Sequence, residues 1–147
     1  MKREYGFYGA LMADCPPVEE KYAKIKDPRV LYDLLLGLWC EYTCAPRMRK
    51  DYQKSHRSLG QCSITAFLAQ DIFGGEVYGV PLKDGGFHCF NKVGEIVFDL
   101  TNEQFGDEVL GYTLDYPQQR AVHFQKQEKR ERYEYLKKEL EKLLQEK

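Results

Sequence analysis

Gly60-Gln61-Cys62-Ser63-Ile64-Thr65-Ala66-Phe67-Leu68-Ala69-Gln70-Asp71-Ile72-Phe73-Gly74-Gly75 is the stretch whose reading decides the fold. Ile64, Phe67, Leu68 and Ile72 recur at helical spacing, and Ala66 and Ala69 allow a neighbour to approach closely. Gly74-Gly75 stops the run, since glycine accepts the left-handed conformation past a helix C-terminus. The spacing predicts a helix from about Cys62 to Phe73. Its polar face is so narrow that the helix is expected at the centre of the domain. Cys62 then falls in the first turn, beside N–H groups with no helical partner. Their partial positive charge favours the thiolate, which is the nucleophilic form. Gly60 lets the backbone turn sharply and leaves room for a substrate.

Downstream, three strands are predicted: Glu76–Leu82, Gly86–Asn91 and Glu95–Leu100. Lys83-Asp84-Gly85 and a turn near Val93-Gly94 separate them, giving an antiparallel meander. A nucleophilic cysteine needs an imidazole, and the imidazole needs an orienting carboxylate. A two-residue loop at Val93-Gly94 would set His88 opposite Asp99, within reach of a hydrogen bond. A four-residue loop, Asn91 to Gly94, would make them diagonal neighbours on the same face. A three-residue loop without a bulge would put them on opposite faces. Each residue also has a plainer reading. Cys62 could be apolar filler in a helix, His88 a hydrogen-bonded core histidine, and Asp99 a cap for the segment after it. Aspartate is depleted in strands, however, and here it sits beside the one histidine of the meander.

Upstream, Asp27-Pro28 opens a first helix with a capping residue followed by proline. Val30, Leu31, Leu34, Leu35, Leu38, Trp39 and Tyr42 form its stripe, and Pro46 ends it. Residues 46–60 are polar and basic and read as a loop. Thr101-Asn102-Glu103-Gln104 matches a capping box and should open a short helix or turn. Residues 111–117 read as irregular. From Gln118 to Lys147 a long charged helix is expected. Tyr133, Leu136, Leu140 and Leu143 form its stripe, and Glu128→Arg132 and Glu134→Lys138 its supporting ion pairs. This organisation makes a single domain, 1–147. Its parts are an N-terminal extension (1–26), a core (27–117) and a C-terminal helix (118–147), the last a candidate route to oligomers.

Composition bounds the function. The 147 residues are 43% apolar and 31% charged, which excludes wholesale disorder and a collagen-like fibre. With 22 Lys and Arg against 23 Asp and Glu, the net charge is -1, and nothing global favours nucleic acid or an anionic membrane. No apolar run approaches a membrane span. Met1-Lys2-Arg3 is followed by Glu4 rather than an apolar stretch, so no secretory signal is read. Five cysteines, an odd number, leave at least one thiol unpaired and suit a reducing, cytoplasmic setting.

Several of these runs together carry a resemblance. They are residues 58–66 around Gly60-Gln61-Cys62, then Gly74-Gly75-Glu76, His88 with Asn91, and Asp99-Leu100-Thr101 with Gln104-Phe105. Leu38-Trp39-Cys40-Glu41-Tyr42-Thr43-Cys44-Ala45-Pro46 and Arg130-Glu131-Arg132-Tyr133 with Leu136 add to them. Over about residues 30–140 the chain resembles the YunG-like family of bacterial proteins. The resemblance implies likeness to papain-like and transglutaminase-like cysteine enzymes. In these a cysteine on a central helix faces a histidine and a carboxylate on adjacent strands. By that analogy Cys62 is the nucleophile, His88 the base and later the acid, and Asp99 the orienter. Papain-like enzymes carry an oxyanion-hole glutamine several residues before the cysteine; here Gln61 immediately precedes it. Gln61 and Asn91 are therefore taken as oxyanion or supporting residues, with the Cys62 backbone N–H a further oxyanion donor.

The expected fold is α+β, a papain-like or transglutaminase-like core with a Cys-bearing helix on a short antiparallel sheet and flanking helices. The expected function is a thiol hydrolase or acyltransferase acting on a peptide, small amide or ester, with no cofactor. The alternative is a catalytically inactive binding module on the same fold. A zinc site from Cys40, Cys44, His56, Cys62, His88 and Cys89 ranks below both, because no second close ligand pair follows. The basic cluster Lys126, Lys129, Arg130 and Arg132 is interleaved with glutamates and reads as a solvated helix face.

Overall fold

Asp27 opens the first helix. Its carboxylate accepts from the N–H groups of Arg29 (2.9 Å) and Val30 (3.2 Å), and Pro28 takes the first helical position. In the computed structural model, which describes residues 4–146, this helix (α1) spans Pro28–Leu38. Met1-Lys2-Arg3, on which the signal-peptide reading rests, and Lys147 lie outside the described residues.

α1 stops well short of the expected Tyr42, and the reason is tertiary. The carbonyls that follow it accept hydrogen bonds from distant side chains. Arg57 donates to Trp39 (2.7 Å), Gln61 to Cys40 (3.2 Å), and Arg132 to Thr43 (2.9 Å). Arg49 donates to Glu41, Tyr42 and Cys44 (3.1, 2.8 and 3.1 Å). With those acceptors satisfied, an irregular and partly buried path leaves no carbonyl stranded. Cys40 and Cys44 therefore lie in a turn and share no helix face. Residues 46–60, expected as a loop, contain a 3-10 helix over Pro46–Lys54.

The central helix (α2) spans Cys62–Phe73, and every residue from Ser63 to Ala69 is buried along with Ile72 and Phe73. A three-stranded antiparallel sheet follows, ordered β1 (Glu76–Pro81), β2 (Phe87–Val93) and β3 (Ile96–Phe98). The β2–β3 turn is Gly94-Glu95, not Val93-Gly94, for Val93 pairs with Ile96 and Asn91 with Phe98. Gly94 has φ 60, and among the described residues no non-glycine residue has a positive φ. That is the pattern of a type II′ turn, with glycine first of the two central residues. A Val93-Gly94 turn would instead place a β-branched residue in that strained region. Continuing the observed register puts Asp99 opposite Phe90. His88 and Asp99 are thus diagonal rather than opposed. A shift by an even number of residues keeps both on one face.

The C-terminal tail is not one helix. A short α3 (Arg120–His123) precedes α4 (Gln127–Glu146), with Phe124 between them packed on Phe67 and Tyr133 at centroid distances of 5.5 and 4.7 Å. On α4 the buried leucines are Leu136, Leu140 and Leu144; Leu143 is only half-buried. Of the two expected ion pairs, Glu128–Arg132 forms (2.8 Å), whereas Glu134 pairs with Arg130 (3.0 Å). α2 lies against β2 on one side and α4 on another, and α1 packs on α4. The N-terminal stretch joins the same core through Phe7, Ala13, Tyr22 and Ile25, and Tyr22 Oη donates to Glu141 (2.7 Å). The stripe of α4 is therefore used within the chain. The architecture is α+β. Among the described residues no helix is long and apolar enough to cross a membrane.

Candidate active site

Cys62 is the first residue of α2 and is half-buried. Gly60, two residues before it, has φ 71, and a Cβ there would lie 2.6 Å from Cys44 Sγ and 2.8 Å from Ala45 N. Only glycine fits this approach, so the turn presenting Cys62 is seated directly on the Cys44-Ala45 backbone. Two hydrogen bonds hold it: Ala45 N–H to Gly60 O (3.0 Å) and Gly60 N–H to Gln104 Oε1 (3.1 Å).

His88 comes from β2 and is almost completely buried. Its Nε2 meets Asp99 Oδ2 at 2.6 Å. Asp99, also buried, accepts further from Tyr112 Oη (2.7 Å), Thr101 N–H (3.0 Å) and Thr101 Oγ1 (3.3 Å). Thr101 thus serves Asp99 rather than capping the short 3-10 helix Asn102–Phe105 that it precedes. The edge of the Phe105 ring packs on His88 at 4.8 Å and 90°. The other ring nitrogen, Nδ1, is buried with no hydrogen-bond partner among the described residues. Cys62 and His88 line one cavity, and each shifts the titration of the other.

The electrostatics follow from these contacts. A hydrogen bond from the buried Cys89 thiol holds Cys62 well below the ordinary thiol value, against its own burial and with the help of His88. Cys89 moves the opposite way and keeps its proton, because it donates to Cys62 and is itself buried. Burial opposes charge on His88, but Asp99 and Cys62 outweigh it and raise the imidazole to about 10. The arrangement favours a thiolate–imidazolium pair with a carboxylate behind the ring.

Gln61 departs from its expected place. It is fully buried, and its Nε2 donates to Cys40 O (3.2 Å), while Oε1 has no partner among the described residues. Its amide donor is turned to the turn after α1 and not to the Cys62 face. The N–H groups of the first α2 turn, beginning with Cys62, carry no helical acceptor and remain available. Asn91 faces α2: its Nδ2 donates to Ala66 O (2.8 Å), tying the strand of His88 to the helix of Cys62.

A cavity of about 330 Å³ opens beside this trio, lined by Cys62, His88, Met48, Phe87, Phe105 and, from the α3–α4 region, His123, Lys126, Lys129 and Arg132. Sequence reading missed His123, Tyr112 and the part played by Lys129. Lys129 Nζ can only donate, so at 3.0 Å it fixes His123 Nδ1 as acceptor, and the Nε2–H then donates to Gln118 Oε1 (2.9 Å). Burial and the Lys129 charge push His123 down to about 4. Two histidines of one pocket should therefore titrate in opposite directions. Imidazole NMR is expected to show His123 neutral down to about pH 4 and His88 charged far above 6.5. Cys62→Ala should lower the His88 midpoint. A wild-type His88 titrating near 6.5 would mean that Cys62 is no thiolate.

The zinc alternative finds no support in the side chains. Among the described residues no group of three His, Cys, Asp or Glu is arranged to hold a metal ion, and all five cysteines are free thiols.

Comparison with known proteins gives the family. A stretch of 48 residues is 42% identical to "Uncharacterized protein YunG" of Bacillus subtilis (strain 168), covering 33% of this chain and 41% of that relative's length. No solved structure matches the chain. A family model described as YunG protein matches residues 27–145, which takes in α1 to α3, the three strands and all of α4 but its last residue, together with Cys62, His88 and Asp99. With about four-fifths of its length inside that match, the chain belongs to the YunG protein family.

Proposed function

We propose that the protein is a thiol hydrolase or acyltransferase acting on an amide or ester, with its reacting groups disposed as in papain-like or transglutaminase-like enzymes. The Cys62 thiolate attacks the carbonyl carbon, and the carbonyl π pair moves onto oxygen. The N–H of Cys62 is the nearest candidate to receive that oxyanion. Collapse expels the amine or alcohol, which takes its proton from His88, and leaves a thioester. Water or an amine then attacks the thioester and yields its proton to His88, and the thiolate departs. Asp99 accepts from Nε2–H throughout, so that Nδ1 is the nitrogen that takes up and returns the transferred proton.

One observation carries this reading. Asp99 and His88 meet at 2.6 Å in full burial, while the other ring nitrogen keeps no hydrogen-bond partner among the described residues and the ring shares its cavity with the Cys62 thiol. The test is the pH dependence of Cys62 alkylation by iodoacetamide, mapped by peptide mass spectrometry because four other cysteines compete. Wild type is expected to react with a midpoint well below the ~8.5 of a free thiol, and His88→Ala to bring the midpoint back toward that value. A Cys62 that is inert, or that titrates normally regardless of His88, would leave a binding module on this fold.

A further inference from the structure

The lining of the cavity beside Cys62 is of two kinds: Met48, Phe87 and Phe105 contribute apolar side chains, and Arg47, Lys126 and Lys129 contribute positive charge. No carboxylate compensates this charge. The acid of the lining, Glu128, is held by Arg132 at 2.8 Å, and among the described residues no carboxylate pairs with Arg47, Lys126 or Lys129. Nor does it reflect a generally basic surface, because the chain as a whole has a net charge of -1.

Lys129 is the informative member. It is half-buried, and its described partner is a neutral imidazole, His123 Nδ1 at 3.0 Å. His123 is in turn held by Gln118. An ammonium has three donors, and this contact uses one. Holding this charge partly out of water with no carboxylate beside it, and with the Cys62 thiolate already shared with His88, is costly, and a second anion would lower that cost. Two exposed cations, Arg47 and Lys126, extend the same field toward solvent and would concentrate anions at the mouth.

We infer that the substrate of this site carries an anionic group, carboxylate or phosphate, beside the reacting carbonyl, and that Lys129 receives it with Lys126 and Arg47. The inference rests on Cys62 being the nucleophile. The apolar side chains of the lining then take the remainder of the acyl group.

A pair of reagents tests it. Iodoacetate and iodoacetamide alkylate the same thiolate by the same displacement of iodide and differ in charge. The ratio of their rates at Cys62 is thus independent of how much thiolate is present. In the folded protein at low salt this ratio is expected to exceed that of the urea-unfolded chain by about tenfold, and to fall as salt screens the field. The His88 imidazolium attracts iodoacetate as well, so variants decide. Lys129→Met, and separately the exposed pair Lys126→Ala with Arg47→Ala, should each lower the ratio several-fold. Protection against iodoacetamide by succinate would assign a carboxylate, and by inorganic phosphate a phosphate. An iodoacetamide-reactive Cys62 with no iodoacetate preference, or with a preference untouched in both variants, overturns this inference and leaves the nucleophile standing. A Cys62 inert to both reagents removes the nucleophile itself.

Discussion

Asp99→Ala is expected to lower stability by about 3 to 5 kcal/mol, as breaking a buried charged pair does. The carboxylate accepts from His88 Nε2, Tyr112 Oη, Thr101 N–H and Thr101 Oγ1 at 2.6 to 3.3 Å. Alanine would strand these donors in a dry site, and each orphan adds a penalty of about 1 to 3 kcal/mol unless it relaxes. The loss has a pH signature. His88 has a raised pKa in the folded state, so its contribution is complete below the unfolded value of about 6.5. It fades as pH rises through the folded value of about 10. Urea midpoints of wild type and Asp99→Ala should therefore lie furthest apart near pH 6 and draw closer toward pH 10, where the part of the gap due to Tyr112 and Thr101 remains. A gap that stays constant across this window would show that His88 is not the cation facing Asp99. Asp99→Asn keeps the shape and loses the charge. It should retain more stability than alanine while still raising the midpoint of Cys62 alkylation.

Trp39→Ala is the second large effect, again expected at about 3 to 5 kcal/mol. Trp39 is fully buried, its indole Nε1 donates to Thr65 Oγ1 (3.0 Å), and its ring meets Tyr32 edge-on at 6.0 Å and 80°. Truncation opens a cavity between α1 and α2 and leaves the Thr65 hydroxyl without its donor. Thr65 lies one turn after Cys62, so the same change loosens the helix start that presents the thiol. Trp39→Phe fills much of the space but cannot donate, and it should fall between wild type and alanine. The chain has one tryptophan, so unfolding in urea is best followed by far-UV circular dichroism. A Trp39→Ala midpoint equal to wild type would mean that the end of α1 repacks without it. Against the usual 5 to 15 kcal/mol of a domain this size, either loss is a large fraction.

The elements legible in the chain are those set by neighbours a few residues apart. Asp27-Pro28 declares a helix start, and Gly60 and Gly74 bracket α2, because capping and left-handed glycines act within one turn. Period-two runs interrupted by Lys83-Asp84-Gly85 and Gly94 declare the meander. Cys62, His88 and Asp99 were readable for a related reason. Each is chemically conspicuous in its own element, and the parity of a strand keeps His88 and Asp99 on one face whether they are opposed or diagonal. That tolerance is why a register misread by two residues still brought them together.

By itself, then, the sequence determined the α+β order, the bounds of α2 and the three residues that meet at its start. Tertiary structure alone decided how α1 ends, which way Gln61 points and what walls the cavity. α1 ends where Arg57, Gln61, Arg49 and Arg132 claim its following carbonyls, the last across 89 residues of chain. Gln61 follows one of those carbonyls inward. Lys129 and His123 reach the cavity because Phe124 packs between Phe67 and Tyr133 and interrupts the tail just before α4. No local periodicity encodes such contacts. A hydrogen-bond donor or an aromatic ring finds its partner only when the chain between them has already been folded.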